Sequence, residues 1–123
     1  MKLKEELIKG YFKSWINNEK DIINEIFSEK IIYSECYGPE YKGIDTMERW
    51  FEDWHTHGKV LVWDIKQFIH SRNITVVEWY FKCIYNENIS EFDGVSIVEF
   101  DDNNKILNLK EFESKAEHYY PYS

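Results

Sequence analysis

The sequence holds a single alanine, Ala116, only two prolines and two cysteines, and no apolar run near the ~18 residues a membrane helix needs. Cys36 and Cys83 are too few for a disulfide scaffold and lack zinc-type spacing. Basic charge is also short: 15 Lys and Arg stand against 23 Asp and Glu, a formal balance of −8. A phosphate backbone is repelled by most of such a surface, so nucleic acid is not an expected partner. There is no glycine-rich phosphate loop, no GxSxG elbow, no HExxH and no CxxC. Met1-Lys2-Leu3-Lys4-Glu5-Glu6 carries acids where a signal peptide carries its apolar segment. The expectation is a soluble, cytoplasmic protein with no membrane partner, one domain over residues 1–123. Scarce alanine beside abundant Ile, Lys and Asn reads as the bias of an AT-rich genome and carries no function.

What the chain has is aromatic mass. Its 5 Trp, 9 Tyr and 8 Phe make up 18% of 123 residues, enough to exclude a disordered chain and to fill a real core. Leu7, Ile8, Tyr11, Phe12, Trp15 and Ile16 recur at three and four, one face of a helix, until Asn17-Asn18 interrupts. A shorter helix follows with Ile22, Ile23, Ile26 and Phe27. Residues 30–37 read as a strand, and Gly38-Pro39 and Gly43 punctuate a loop. Met47, Trp50, Phe51 and Trp54 then mark a third helix, ended by Gly58. Strands are expected over Val60–Ile69, Ile74–Tyr85, Ile89–Phe100 and Lys105–Phe112, joined by polar turns. The order α-α-β-α-β-β-β-β, helices early and meander strands late, defines an α+β fold.

Ile74–Phe81 and Val95–Val98 are apolar on both strand faces. Helices cover one face only, so the other predicts a homodimer packed sheet to sheet through the outer face.

Several segments together resemble the NTF2-like (nuclear transport factor 2-like) superfamily, in particular its SnoaL-like branch. They are Tyr11-Phe12 with Trp15 and Asn18, the run Tyr33 to Gly43, Glu78-Trp79, Phe92-Asp93-Gly94-Val95-Ser96, and Lys105-Ile106 with Glu111-Phe112. The resemblance spans nearly the whole chain. It implies a cystatin-like cone, three helices packed on a curved, mostly antiparallel sheet, with an apolar pocket and commonly a dimer. Aligned on Gly38 and Gly43, the ketosteroid-isomerase branch implies Glu35 at the general-base position and Ser96 where that branch keeps a neutral aspartic acid. The branch's oxyanion tyrosine falls near Phe12 without a clean match. Loss of the acid partner argues against steroid-type isomerisation.

Strand alternation supplies the pocket candidates. Tyr33, Glu35 and Tyr37 share one face, and Cys36 lies on the other. Val77, Trp79, Phe81 and Cys83 face inward with Phe92, Gly94, Ser96 and Val98, and Leu107, Leu109, Glu111 and Glu113 share a face on the last strand. Trp15, Trp50, Trp54 and Trp63 complete an aromatic wall for a flat apolar or aromatic molecule. Glu35, with Glu111 second, is the candidate base for cofactor-free proton transfer of the isomerase, cyclase or dehydratase type. Tyr33, Tyr37 or Ser96 would polarise an oxygen. Opposed to this stands a non-catalytic ligand-binding or dimerisation module, in which Glu35 pairs with Lys42 and Glu111 with Lys110 or Arg72. His55 and His57, two apart on a helix, diverge by about 200°, so they predict a surface cluster and no metal site.

Overall fold

The apolar stripe of the first helix has to be covered, and the sheet covers it. The computed structural model describes residues 1–122. Its elements run α1 (Lys2–Asn17), α2 (Ile22–Ile26), β1 (Phe27–Ser34), β2 (Glu40–Lys42), α3 (Ile44–His57), β3 (Gly58–Ser71), β4 (Ile74–Tyr85), β5 (Asn88–Phe100) and β6 (Ile106–Lys115). In α1 the residues predicted to point inward, Ile8, Tyr11, Phe12 and Trp15, are buried. Asn18 ends the helix in the left-handed conformation, φ 55°, which asparagine tolerates better than most residues.

The strands form one six-stranded sheet in the order β2-β1-β6-β5-β4-β3. β1 runs parallel to β6, and every other pair is antiparallel. Asn86 and Glu87 join β4 to β5 with φ of 48° and 70°, the two positive values of a tight hairpin turn. Register shifts between Val60 and Val62, and between Ile65 and Gln67, bend β3 as bulges do. The sheet curves around the helices, and the core lies between them.

Three expectations need correction. β1 begins at Phe27, inside the stretch assigned to helix, and stops at Ser34, so Glu35, Cys36 and Tyr37 form the turn after it. β2 was not foreseen; its three residues pair with Ile32, Tyr33 and Ser34. Released from strand alternation, Cys36 turns inward, and its Sγ lies 3.6 Å from a Glu113 carboxylate oxygen. The outer face carries exposed Ile69, Ile74, Ile97 and Phe112. The aromatic tail lies toward that face, where His118 Nε2 meets Asp93 Oδ2 at 3.2 Å.

Gly94 on β5 fixes the inner surface. A Cβ there would sit 2.3 Å from the Trp79 ring and 2.7 Å from the Phe112 carbonyl oxygen. Only hydrogen lets the Trp79 indole lie over the strand and donate its Nε1–H to Ser96 Oγ at 2.9 Å. Gly94→Ala is expected to lower the urea midpoint by an equivalent of about 1–3 kcal/mol, the usual cost of overpacking. An unchanged midpoint would show that Trp79 moves freely.

Candidate functional site

α3 lies across the open end of the curved sheet and leaves a two-level cavity. The upper level is a wide mouth of about 1130 Å³, with Thr46, Arg49, Asp53 and His57 from α3 facing Cys83, Tyr85, Asn88 and Ser90. The lower level is a throat of only about 40 Å³. Glu35, Tyr37, Trp50 and Trp54 border both and form the neck. Below it stand Trp15, Tyr33, Trp63 and Trp79, with Phe81, Phe92, Cys36 and Glu111. That free volume admits a few water-sized groups and no aromatic ring.

The aromatic side chains themselves occupy the rest of the cone. Trp63 stacks on Phe12, centroids 3.8 Å apart and 6° from parallel. Trp50 stacks on Tyr41 at 4.3 Å and packs on Tyr33 at 4.9 Å and on Trp15 at 4.8 Å. Trp54 meets Trp15 and Tyr85. Tyr37, 56% exposed, sets its ring edge-on to Phe92.

Two carboxyls occupy different depths. Glu35, half-buried at the neck, accepts a hydrogen bond from Tyr41 Oη at 3.0 Å. Burial raises its pKa, and the Tyr41 bond partly offsets the rise. Glu111 extends from β6 to the throat, where it accepts a hydrogen bond from Tyr33 Oη. Glu111 is half-buried and lines the throat. Desolvation is the main cause that pushes its pKa up to about 8; the Tyr33 bond opposes the rise and the Glu35 charge adds to it. Among the described residues neither carboxylate pairs with a cation, so the pairings with Lys42, Lys110 or Arg72 do not form.

Of the residues expected to line a pocket, the structure gathers Trp15, Tyr33, Glu35, Tyr37, Trp50, Trp54, Trp63, Trp79, Phe81 and Glu111. It does not place Ser96 and Leu109 there. Ser96 is sealed beneath Trp79 as the acceptor of its N–H, and Leu109 is buried in the core beside Tyr33 in the sheet register. His55 is not a surface cap either: its ring nitrogens lie 2.8 Å from the Phe51 carbonyl and 2.9 Å from that of Trp15, tying α3 to α1. Among the described residues no group of three or more His, Cys, Asp or Glu is placed to hold a metal. Tyr41, which hydrogen-bonds Glu35, lies on β2, a three-residue strand too short to leave a pattern in the sequence. Tyr11 is buried in the core, yet its hydroxyl lies beside the Glu111 and Tyr33 pair.

Helices laid on a curved sheet, with an aromatic cavity closed at its narrow end, define the NTF2-like class. A family model described as SnoaL-like domain matches residues 8–108, and the chain belongs to that family. Among solved structures it is similar to a protein of ketosteroid isomerase-like fold from Catenulispora acidiphila, in complex with trimethylamine: TM-score 0.78, 10% identity, 90% of this chain and 86% of that one. An M. tuberculosis epoxide hydrolase of LEH-like type gives 0.79 at 11% identity, over 89% and 80%. An NTF2-like protein of unknown function from Burkholderia xenovorans gives 0.75 at 17%, over 97% and 88%. Identities this low establish the fold alone. No curated protein matches the sequence. No helix is long and apolar enough to cross a membrane.

The burial of Glu111 fixes a pH dependence. Its folded pKa, about 8, lies above the ordinary 4.5, so the folded protein keeps a proton that the unfolded chain releases. Stability therefore falls as pH rises through that window, by on the order of 2–4 kcal/mol for this group. Urea midpoints at pH 5.5 and 8.5 are expected to differ much less in Glu111→Gln than in wild type; equal slopes would mean a solvated carboxylate.

Proposed function

We propose that the protein binds a small apolar or aromatic molecule at the neck and carries out cofactor-free proton transfer on it, with Glu35 as general base. One observation carries this reading: two carboxyls at two levels of one aromatic cavity, both displaced upward in pKa by burial. Glu35 borders the mouth, where a ligand enters, and its raised pKa makes its carboxylate a stronger base. Glu111 is mostly protonated at neutral pH and serves as a neutral acid beneath it. Glu35 takes a proton from the carbon beside a ligand carbonyl, the electron pair moves onto the carbonyl oxygen, and Glu35 returns the proton to carbon. Isomerisation, cyclisation and dehydration all begin with this step.

The acid partner that the steroid-isomerase resemblance put at Ser96 has a substitute one strand away. Ser96 on β5 pairs in register with Glu111 on β6, so the sheet offers a carboxyl at nearly the same place. Tyr33 is committed to Glu111 and Ser96 to Trp79, which leaves Tyr37 as the neck's exposed phenol.

The test uses acetophenone in D2O, with loss of its methyl proton signal followed by NMR. Wild type is expected to accelerate the exchange, and Glu35→Gln to lose at least about 100-fold of that acceleration. The rate should fall on the acid side as Glu35 takes up a proton, and on the alkaline side near pH 8 as Glu111 ionises. Wild-type exchange in Glu35→Gln removes Glu35 from the role.

The narrowness of the throat favours a second reading, a non-catalytic ligand-binding or dimerisation module. Saturable binding without exchange would select it. The partner proposed under either reading is a second copy, packed through the outer sheet face at Ile69, Ile74, Ile97 and Phe112, the last 52% exposed. Light scattering should give twice the monomer mass for wild type and the monomer mass for Ile97→Lys combined with Phe112→Glu. A wild type already at monomer mass excludes the dimer.

A further inference from the structure

The fixed positive charge of this chain stands away from the cavity, with one exception. Among the described residues none of the thirteen lysines borders the mouth. Arg72, one of only two arginines, lies in the turn that closes the β3–β4 hairpin at the end opposite Tyr85 and the mouth. Arg49 on α3 is the cation that lines the mouth.

Its neighbours on the helix make that placement informative. Asp45 lies four residues before Arg49, and Glu52 and Asp53 lie three and four after it, the spacings at which helical ion pairs form. Arg49 pairs with none of them, and among the described residues it has neither an ion pair nor a side-chain hydrogen bond. Two acids of α3 are engaged instead toward α2 and the loop before it. Glu48 accepts a hydrogen bond from Asn24 Nδ2 at 3.0 Å, and Glu52 is paired with Lys20. In a chain with 23 acidic residues, the guanidinium at the mouth is left without a partner.

The chemistry of the rim favours one kind of anion. A guanidinium is a planar fork of donors that keeps its charge and fits a carboxylate through two parallel hydrogen bonds. One arginine, with Asp53 a turn along the helix and Glu35 at the neck, matches a single negative charge and repels a second. A carboxylate therefore suits this rim, and a phosphate dianion does not. Asn88 and Ser90, on the other side of the mouth, are neutral and add no competing charge. Trp50 and Trp54, from the same helix as Arg49, border the mouth and the neck alike. One helix thus offers a charge at the rim and rings directly below it, and the mouth, about 1130 Å³, has room for an aromatic body between them.

From this we infer that Arg49 is a carboxylate subsite, and that the ligand is a small aromatic keto acid whose carboxylate stays at the mouth while its ring rests on the neck and its ketone end meets Glu35. The inference rests on the neck-binding reading above and names the charged group by which such a ligand is chosen over neutral ketones.

The experiment titrates 3- and 4-acetylbenzoate against their methyl esters by calorimetry at pH 7. Each pair differs in the charge at one end and keeps the same enolisable methyl ketone at the other. The formal balance of −8 disfavours the acids at long range, so a preference for them has to come from a local contact. At least one acid is expected to bind about tenfold or more tightly than its ester, as charge-assisted hydrogen bonds give. Arg49→Gln should bring that acid down to the affinity of its ester and leave the ester unchanged. Arg49→Lys, a point charge without the fork, should keep only part of the preference. Arg72→Gln, which removes the same charge at the far end of the hairpin, should keep all of it. Labelling with 15N at arginine gives two Nε–H signals, assigned through Arg72→Gln; the acid should shift that of Arg49 and the ester should not. Equal affinity within both pairs overturns the inference. So does a preference that survives Arg49→Gln, or one that Arg72→Gln removes equally. Preference for an acid without exchange at its methyl group would leave the subsite standing and remove Glu35 as base. Exchange in the esters without that preference would do the reverse, and failure of all four compounds to bind sinks both.

Discussion

A carboxyl enclosed by aromatic rings sets the terms for everything around it. An ionised Glu111 in that position would need a cation or more donors to replace its water than the Tyr33 hydroxyl and the Cys36 backbone N–H supply. The fold's answer is to keep the group neutral near pH 7, as its raised pKa records. Neutrality then propagates. Tyr33 and Tyr11, beside it, are themselves pushed well above the usual phenol range, first by burial and next by the Glu111 charge that would form. Ionising any one of these groups makes ionising the others harder, so the throat acts as a protonated unit.

Aromatic packing decides how little space that unit shares with a ligand. The wall residues are held in pairs, Trp63 on Phe12 and Trp50 on Tyr41, and a stacked ring cannot retreat without abandoning its partner. Gly94 belongs to the same economy, since the absence of a Cβ lets Trp79 lie flat and the strand come close. The cone is consequently full almost to the neck, where Tyr37 on the turn after β1 is the most exposed of the bordering aromatics.

Much of this was legible in the residues. Periods of three and four found all three helices, and period two put Trp79, Phe81, Phe92 and Glu111 on the inner face, because buried strands must alternate. Resemblance supplied the cone. What failed depended on contacts between segments distant in the chain. β2 is three residues long and exists only because β1 offers it an edge. Where β1 stops decides whether Cys36 obeys alternation, and that is set by the turn through Gly38, φ 110°. Ser96 faces inward as expected, yet the indole of Trp79 lies over it, a rotamer choice that no pattern encodes. Least legible of all were the polar atoms buried without a hydrogen-bond partner: Tyr11, Trp15 and Trp63 look like ordinary core in any hydrophobic pattern, and only the geometry of those atoms separates them from it.

The two levels of the cavity impose a direction on whatever enters. At the mouth Arg49, Asp53, His57, Asn88 and Ser90 offer both donors and acceptors beside water, so polar groups lose little by remaining there. At the neck the surfaces are rings, and apolar area gains by leaving water. Below it the cone is closed by stacked aromatic rings, so a group entering from solvent meets the polar mouth and then the apolar neck, and Glu35, which borders both levels, is the carboxyl nearest to it.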